Sequence, residues 1–219
     1  MLFDLRSRGR RRTVQGVYLA LALLMGLGLV LFGVGAGNGI GGLLNAFTGN
    51  GSGNSQNQAV SQQEQGALKA VKAHPNSAAA WGNLLQARWT TAGNEFNSTT
   101  STFTAAGKRE LTKATEAWQR YVQLTKNPDP GLANLAARAY GGLGDYGGEA
   151  NAWAAETAVS PSDAHGFECL AASAFAAGQT DRAQLALTKA LSMVPKAQRT
   201  TVKTQITAAK TNHSVAQQC

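Results

Sequence analysis

The side chains that could serve in catalysis or metal binding are few and widely spaced in this chain. The three histidines, His74, His165 and His213, contain no pair at the i, i+4 spacing that places two metal ligands on one helix face. The 12 acidic residues are scattered and nominate no carboxylate pair for acid and base catalysis. The sequence also has no glycine-rich phosphate loop followed by lysine and no Gly-x-Ser-x-Gly nucleophile elbow. We therefore predict a protein that is not an enzyme and that uses neither a metal nor another cofactor.

Cys169 and Cys219 are the two cysteines of the chain, and two interpretations of them stay open. On the oxidising side of a membrane they can form a disulfide bond, which requires the tail from Asn212 to fold back. Alternatively, Cys169 is a small, partly buried helix residue, and Cys219 is a free end that can pair with another chain.

The N-terminal residues have the pattern of a membrane anchor. Residues 14–36 carry no charge and reach the roughly 20 residues that a bilayer-spanning helix needs. Five arginines lie within the basic segment 1–13, and no lysine or arginine follows residue 36 until Lys69. The positive-inside bias therefore predicts a single-pass protein of the cell membrane, with its N-terminus cytoplasmic and its C-terminal domain extracytoplasmic. The alternative is a cleaved signal peptide, because Val34-Gly35-Ala36 resembles a cleavage site.

Small residues recur four positions apart within this anchor. Such spacing allows a second membrane helix to approach closely, although glycine is also common in membrane spans generally. The pairs are Gly16 with Ala20, Ala22 with Gly26, and Gly33 with Gly37. Residues 37–58 are rich in Gly, Ser and Asn, a composition that predicts a flexible linker.

Net charge is distributed unevenly along the chain. The total is +8, and no acidic side chain follows Asp181, whereas six basic residues do. A basic run of this kind is typical of a solvated helix face, or of a surface that meets anionic lipid or an acidic partner.

Residues 130–197 contain two tandem copies of one unit, because Pro161 and Pro195 lie 34 residues apart and the residues before them superimpose. Large residues recur at helical spacing, small residues stand where two helices must approach, and a glycine marks the turn between them. The first copy has Ala133, Ala136, Ala137, Tyr140, Gly144, Tyr146, Trp153 and Pro161, and the second has Phe167, Leu170, Ala171, Ala174, Gly178, Thr180, Leu187 and Pro195.

This pattern resembles the tetratricopeptide repeat (TPR), a 34-residue unit of two helices joined by a turn. The resemblance implies an all-α fold in which the membrane helix precedes an α-solenoid of about three TPR-like hairpins over residues 59–216. Its regular units are 130–163 and 164–197, followed by a capping helix over 197–216 and a tail at 217–219. An earlier unit begins near Ala78, and a Ser/Thr-rich insertion of about 93–107 interrupts it. We expect the insertion to fold back on its own helices through Phe96 and Phe103, or to carry recognition.

The resemblance also implies a binding groove, because the first helices of TPR units line a concave surface that receives an extended peptide or a helix. The Lys and Asn set with which some TPR domains clamp a carboxylate is not reproduced here. The groove positions of this chain are Gln86, Trp89, Asn134, Arg138, His165, Glu168 and Phe175.

An anchor followed by a repeat domain is similar to the ancillary translocon proteins, whose periplasmic TPR domain lies beside a membrane-bound prolyl isomerase chaperone. This similarity implies a scaffold for protein–protein interactions outside the cytoplasmic membrane that assists protein translocation or envelope protein folding and assembly. The alternatives are a TPR subunit of a cytochrome c maturation or cell-wall assembly complex, and a self-associating structural envelope protein. We expect homo- or hetero-oligomers to be possible and no nucleic acid to be bound.

Overall fold

The computed structural model describes residues 54–219, with side chains from Val60 onward. The predicted basic segment 1–13, the membrane helix 14–36 with its small residues, and the linker up to residue 53 lie outside the described residues. The part of the chain that is described is mostly helical, as the repeat pattern predicts. Among its helices, none is both long enough and apolar enough to cross a membrane.

The elements follow one another with short connections. They are α1 (Asn54–Ala73), α2 (Ala78–Gly93), β1 (Phe96–Asn97), β2 (Thr102–Phe103), α3 (Ala105–Leu124), α4 (Pro130–Leu143), α5 (Tyr146–Val159), α6 (Ala164–Ala176), α7 (Thr180–Met193), a 3-10 helix (Lys196–Gln198), α8 (Arg199–Ala208) and α9 (Ser214–Gln217). Residues 57–219 belong to one compact unit.

Local capping signals begin and end the central helices. The side chains of Asp129, Asp145 and Asp163 each accept a hydrogen bond from a backbone N–H in the first turn of α4, α5 and α6. After α4 and α6, Gly144 and Gly178 adopt φ values of 75° and 71°, which a residue without Cβ takes at little cost. The turns between paired helices are therefore encoded by single residues.

Helices that are neighbours in sequence pack against each other in pairs. The pairs are α2 with α3, α4 with α5, and α6 with α7, and the contacts of α3 with α4 and of α5 with α6 join them. Alanine lines these contacts: Ala133, Ala136 and Ala137 of α4 are completely buried. Trp153 of α5 and Leu187 of α7 fill the remaining space, and burying a large apolar side chain contributes about 1.5–3 kcal/mol.

An ion-pair network joins α1 to the helices that follow. Nη1 of Arg88 lies 2.6 Å from Oε1 of Glu64 in α1 and 2.7 Å from Oε2 of Glu110 in α3. The Thr91 hydroxyl donates a hydrogen bond to the other oxygen of Glu64 at 3.0 Å. A single buried guanidinium therefore connects three helices.

The structure differs from the sequence expectations at three places. Residues 54–58, predicted as linker, already belong to α1. The insertion of about 93–107 contains a small β-hairpin, with Phe96 opposite Phe103, and α3 begins within it at Ala105. The segment 197–216, predicted as one capping helix, is divided into α8 and α9 by a turn at residues 209–213. There the Asn212 side chain accepts hydrogen bonds from the backbone and the hydroxyl of Ser214, which begins the next helix.

Candidate functional site

A cleft of about 860 Å³ lies where the β-hairpin, the end of α4 and the C-terminal residues meet. One side is formed by Trp89 of α2, the hairpin and Lys108 of α3. The floor is the last turn of α4, together with Glu149 of α5. The residues that close its other side are Ser214, Gln217, Gln218 and Cys219.

Three aromatic rings form one wall of this cleft. The ring of Phe103 stands edge-on to Phe96, with centroids 5.0 Å apart, and edge-on to Trp89 at 6.2 Å. Such edge-to-face pairs contribute about 0.5–1.5 kcal/mol beyond the area they bury. Phe96 is nevertheless 45% exposed. The wall is thus fixed in position while part of its apolar surface stays open to a ligand.

Glycine in α4 lets the hairpin approach the floor of the cleft. A Cβ at Gly142 would lie 2.8 Å from Cδ1 of Leu111 and 3.0 Å from Cε2 of Phe103. A Cβ at Gly141 would lie 3.1 Å from Oε2 of Glu149. Gly142 therefore lets the hairpin pack closely against the backbone of α4, and Gly141 does the same for the carboxyl group of Glu149.

Glu149 is a buried carboxyl group at this floor. It is only 2% exposed, and within residues 54–219 its Oε2 atom has no hydrogen-bond partner. The pKa of Glu149 is raised from 4.5 to about 7, chiefly by burial. The Ser173 hydroxyl and the Trp153 indole lower this pKa, whereas the charge of Asp145 raises it further. A carboxyl group in this state is substantially protonated near neutral pH.

The exposed charged side chains of the cleft are positive. Lys108 and Arg138 lie on its lining with exposed side chains, whereas the one carboxyl side chain of the lining, Glu149, is buried. This surface favours a ligand that combines negative charge with apolar groups.

A second buried carboxyl group lies seven positions further along α5, away from the cleft. Burial raises the pKa of Glu156, and Asp163 raises it further, while Ser160 and His165 lower it. Its Oε2 also has no hydrogen-bond partner in the described part of the chain and packs against Gly166 of α6. Among residues 54–219, no three His, Cys, Asp or Glu side chains are grouped as metal ligands would be.

The C-terminal residues are bonded to α6. Cys219 forms a disulfide with Cys169, whose Cα atom is 5.6 Å away and which lies 50 positions earlier in the chain. The Gln217 side chain donates a hydrogen bond to the Tyr146 hydroxyl at 3.1 Å, and the His213 ring stands edge-on to Tyr146 at 5.0 Å. Nζ of Lys210 lies 4.6 Å from the centre of the Phe175 ring.

The predicted groove residues divide between the cleft and other places. Trp89 and Arg138 line the cleft. Phe175 is only 4% exposed and is covered by Lys210, so it is closed to a partner in this state.

His165 is exposed on α6, with its Nε2 3.6 Å from Sγ of Cys169 and its ring 6.0 Å from that of Trp153. The remaining three, exposed Gln86 and partly buried Asn134 and Glu168, lie outside the cleft lining.

Sequence reasoning did not identify several residues of this site. Lys108 and Glu149 gave no motif signal, and Gly141 and Gly142 were hidden in a glycine-rich turn. Phe96 and Phe103 were the detectable signal, since two aromatic residues in a Ser/Thr-rich insertion need apolar surroundings. Comparison of the chain with models of known protein families and with curated proteins finds no match.

Proposed function

We propose that this protein is a non-enzymatic scaffold that binds extended segments of other proteins in the cleft between the β-hairpin, α4 and the C-terminal residues. The observation that carries the proposal is that the aromatic wall of Trp89, Phe96 and Phe103 shares one cleft with the exposed cations Lys108 and Arg138. Rigid aromatic rings and arginine are the residue types that dominate protein recognition surfaces. The partner that fits is a segment with apolar and acidic side chains.

The proposal includes a TPR-like organisation and a membrane tether. The helix pairs α4 with α5 and α6 with α7 accord with the 34-residue sequence period, and their first helices are the ones that would line a TPR groove. The uncharged run over 14–36 and the preceding arginines support a single-pass anchor with the cleft outside the cytoplasmic membrane. Such a scaffold assists translocation, folding or assembly of envelope proteins.

Site-specific photocrosslinking in intact cells tests the proposed binding site. A photoreactive phenylalanine analogue at Phe96 is expected to crosslink to secreted or envelope proteins. The matched control is the same analogue at Leu185, which is 75% exposed on α7 and does not line the cleft. Equal crosslinking from both positions, or crosslinks to cytoplasmic proteins alone, would contradict the proposal.

The charge of the cleft can be tested in the same assay. We expect Arg138→Glu to weaken partner binding about three- to tenfold, because it places a negative charge beside an acidic ligand. Helicity measured by circular dichroism should be unchanged, since Arg138 is exposed. Arg120→Glu on α3, outside the lining, is the control. Unchanged binding in Arg138→Glu would move the binding site elsewhere.

Self-association through Cys219 is the second function considered, and the structure offers it less support. Cys219 is already paired with Cys169 of the same chain. Non-reducing gels of wild type and Cys219→Ser should therefore show the same monomer band, whereas a wild-type dimer that the substitution removes would favour self-association.

A further inference from the structure

The last eleven residues, 209–219, lie where a partner of the predicted groove would lie, and we call them the C-terminal strap. Its short helix α9 packs against α6 and reaches α4, the first helices of the two regular units. The preceding helix, α8, instead contacts both α6 and α7, as a cap at the end of an array does. The strap therefore turns back from the cap onto the inner surface of the helix pairs.

Residues of the strap line one side of the cleft and cover a groove position. Four of them line the cleft together with Trp89 and Arg138. Earlier in the strap, Lys210 covers the Phe175 ring. Gln217, one of the four lining residues, donates a side-chain hydrogen bond to the Tyr146 hydroxyl. A bound segment in the same place would compete with these contacts.

Apart from the disulfide, the strap is held by weak contacts. Its buried apolar side chains are only Ala209 and Ala216, with Val215 partly buried. The hydrogen bond from Gln217 to Tyr146 and the ring contact between His213 and Tyr146 involve exposed strap residues. Small apolar area and solvent-exposed polar contacts are typical of segments that open locally. The covalent bond is thus the main restraint on the strap.

We propose that the strap is an autoinhibitory cover that closes one side of the cleft, and that reduction of the Cys169–Cys219 disulfide releases it and widens the cleft for a partner segment. This inference rests on the proposed function, because the strap inhibits only if the cleft binds partners. Three observations support the inference. The strap lines the cleft, it covers Phe175, and Cys219 bonds it to α6.

The two cysteines differ in exposure, and this difference sets the order of the exchange. Cys169 is completely buried, whereas Cys219 is partly exposed on the cleft. A thiolate of a dithiol reductant attacks Sγ of Cys219, forms a mixed disulfide and expels the Cys169 thiolate, which takes up a proton beside His165. The second thiol of the reductant then attacks the mixed disulfide, so the reductant becomes a cyclic disulfide and both cysteines end as thiols. Two electrons pass from the dithiol to the protein.

Hydrogen exchange and photocrosslinking on the full-length chain test this inference together. In the purified protein, dithiothreitol is expected to speed amide exchange of residues 209–219 by at least about tenfold, at labelling times too short for α2 and α3 to exchange in either state. Cys219→Ser should exchange like the reduced wild type without reductant. The double variant Cys169→Ser/Cys219→Ser should not respond to dithiothreitol, which controls for other effects of the reagent.

The crosslinking arm uses the photoreactive analogue at Phe96 in cells that carry wild type or Cys219→Ser. We expect several-fold more partner crosslinks in Cys219→Ser. Unchanged strap exchange on reduction overturns the inference. If strap exchange becomes faster but Cys219→Ser forms no more crosslinks than wild type does, the inference is also overturned. The proposed function stays intact in that case. No crosslinks in either form contradicts the proposed function and, with it, autoinhibition.

Discussion

At the scale of single residues, Glu149 shows how burial changes the chemistry of a common side chain. Its carboxyl packs beside Gly141 at the floor of the cleft, and its pKa of about 7 lies above the ordinary value of 4.5. Because the folded state holds the proton more tightly than the unfolded chain, the favourable contribution of the neutral carboxyl is complete below pH 4.5. It is lost as the pH rises through 7.

Glu149→Gln should remove this pH dependence. The amide stays neutral, so the unfolding free energy of the variant relative to wild type should increase by up to about 3 kcal/mol between pH 4 and pH 8. Urea denaturation across this range measures the difference. The matched control is Glu116→Gln, an exposed carboxylate on α3. A difference between Glu149→Gln and wild type that stays flat with pH would disprove the explanation.

Alanine substitutions distinguish glycines that are needed for close packing from glycines that are not, because the two kinds should change the unfolding free energy in opposite directions. A Cβ at Gly148 would lie 2.6 Å from Cε1 of buried Tyr140 and 2.7 Å from Oδ2 of Asp145, the N-cap of α5. We expect Gly148→Ala to lower the unfolding free energy by about 1–3 kcal/mol.

Gly66→Ala is the counterpart of this substitution. In the described part of the chain, no heavy atom outside the adjacent residues and the backbone of α1 lies within 4 Å of a Cβ added at Gly66. This variant should be more stable by about 0.5–1 kcal/mol, because alanine loses less backbone entropy in a helix. Thermal denaturation that ranks the two variants the other way would contradict the packing argument.

At the scale of elements, the position of α1 depends on one cation. Arg88 pairs with Glu64 in α1 and with Glu110 in α3, and Lys113 also bonds to Glu110 at 2.7 Å. Burial raises the pKa of Glu110, but the bonds from Lys113 and Arg88 outweigh it, so this pKa is lowered overall. The network therefore favours ionised carboxylates where α1, α2 and α3 meet.

Removing the guanidinium should loosen α1 before the rest of the array. We expect Arg88→Met to lower the unfolding free energy by about 1–3 kcal/mol, because two partly buried carboxylates lose their partner. Amide exchange of residues 60–73 should become faster than in wild type. Arg109→Met, an exposed arginine on α3, is the control. Wild-type exchange of α1 in Arg88→Met would show that other contacts hold the helix.

At the scale of the whole molecule, the Cys169–Cys219 bond closes a large part of the array into one loop. The two cysteines are 50 positions apart, and the loop contains part of α6, all of α7 and α8, and the strap. Closing a loop of this size lowers the entropy of the unfolded chain by an amount equivalent to about 4 kcal/mol in the chain-entropy model. The bond thus stabilises the C-terminal helices in addition to its proposed role at the cleft.

Loss of the disulfide should lower stability measurably. We expect Cys219→Ser to reduce the unfolding free energy by about 2–4 kcal/mol in urea denaturation. Wild type in dithiothreitol should show the same loss, which separates the bond from the serine substitution. If both retain the stability of the oxidised wild type, the disulfide does not contribute to the folded array.

Much of the helical array could be predicted because its signals are local. Each signal acts within one helical turn. Examples are the capping Asp129, the proline at the first position of α4, and the glycines with positive φ after α4 and α6. The 34-residue period repeats these signals, and residues 130–197 are mostly helical, with left-handed glycines at the predicted turn positions Gly144 and Gly178. By contrast, the cleft was located only in part, through Trp89 and Arg138, since its other residues come from distant parts of the chain.

The sequence by itself determined that residues 130–197 form helices and that turns fall at Gly144 and Gly178. Only the tertiary structure decided that Glu149 is buried, that Arg88 joins three helices and that Phe103 packs against Gly142. It also decided that the turn at 209–213 brings Cys219 to Cys169. The physical reason is that capping and turn formation depend on neighbours in the chain, whereas burial, ion pairing and disulfide bonding depend on which distant residues the fold brings together.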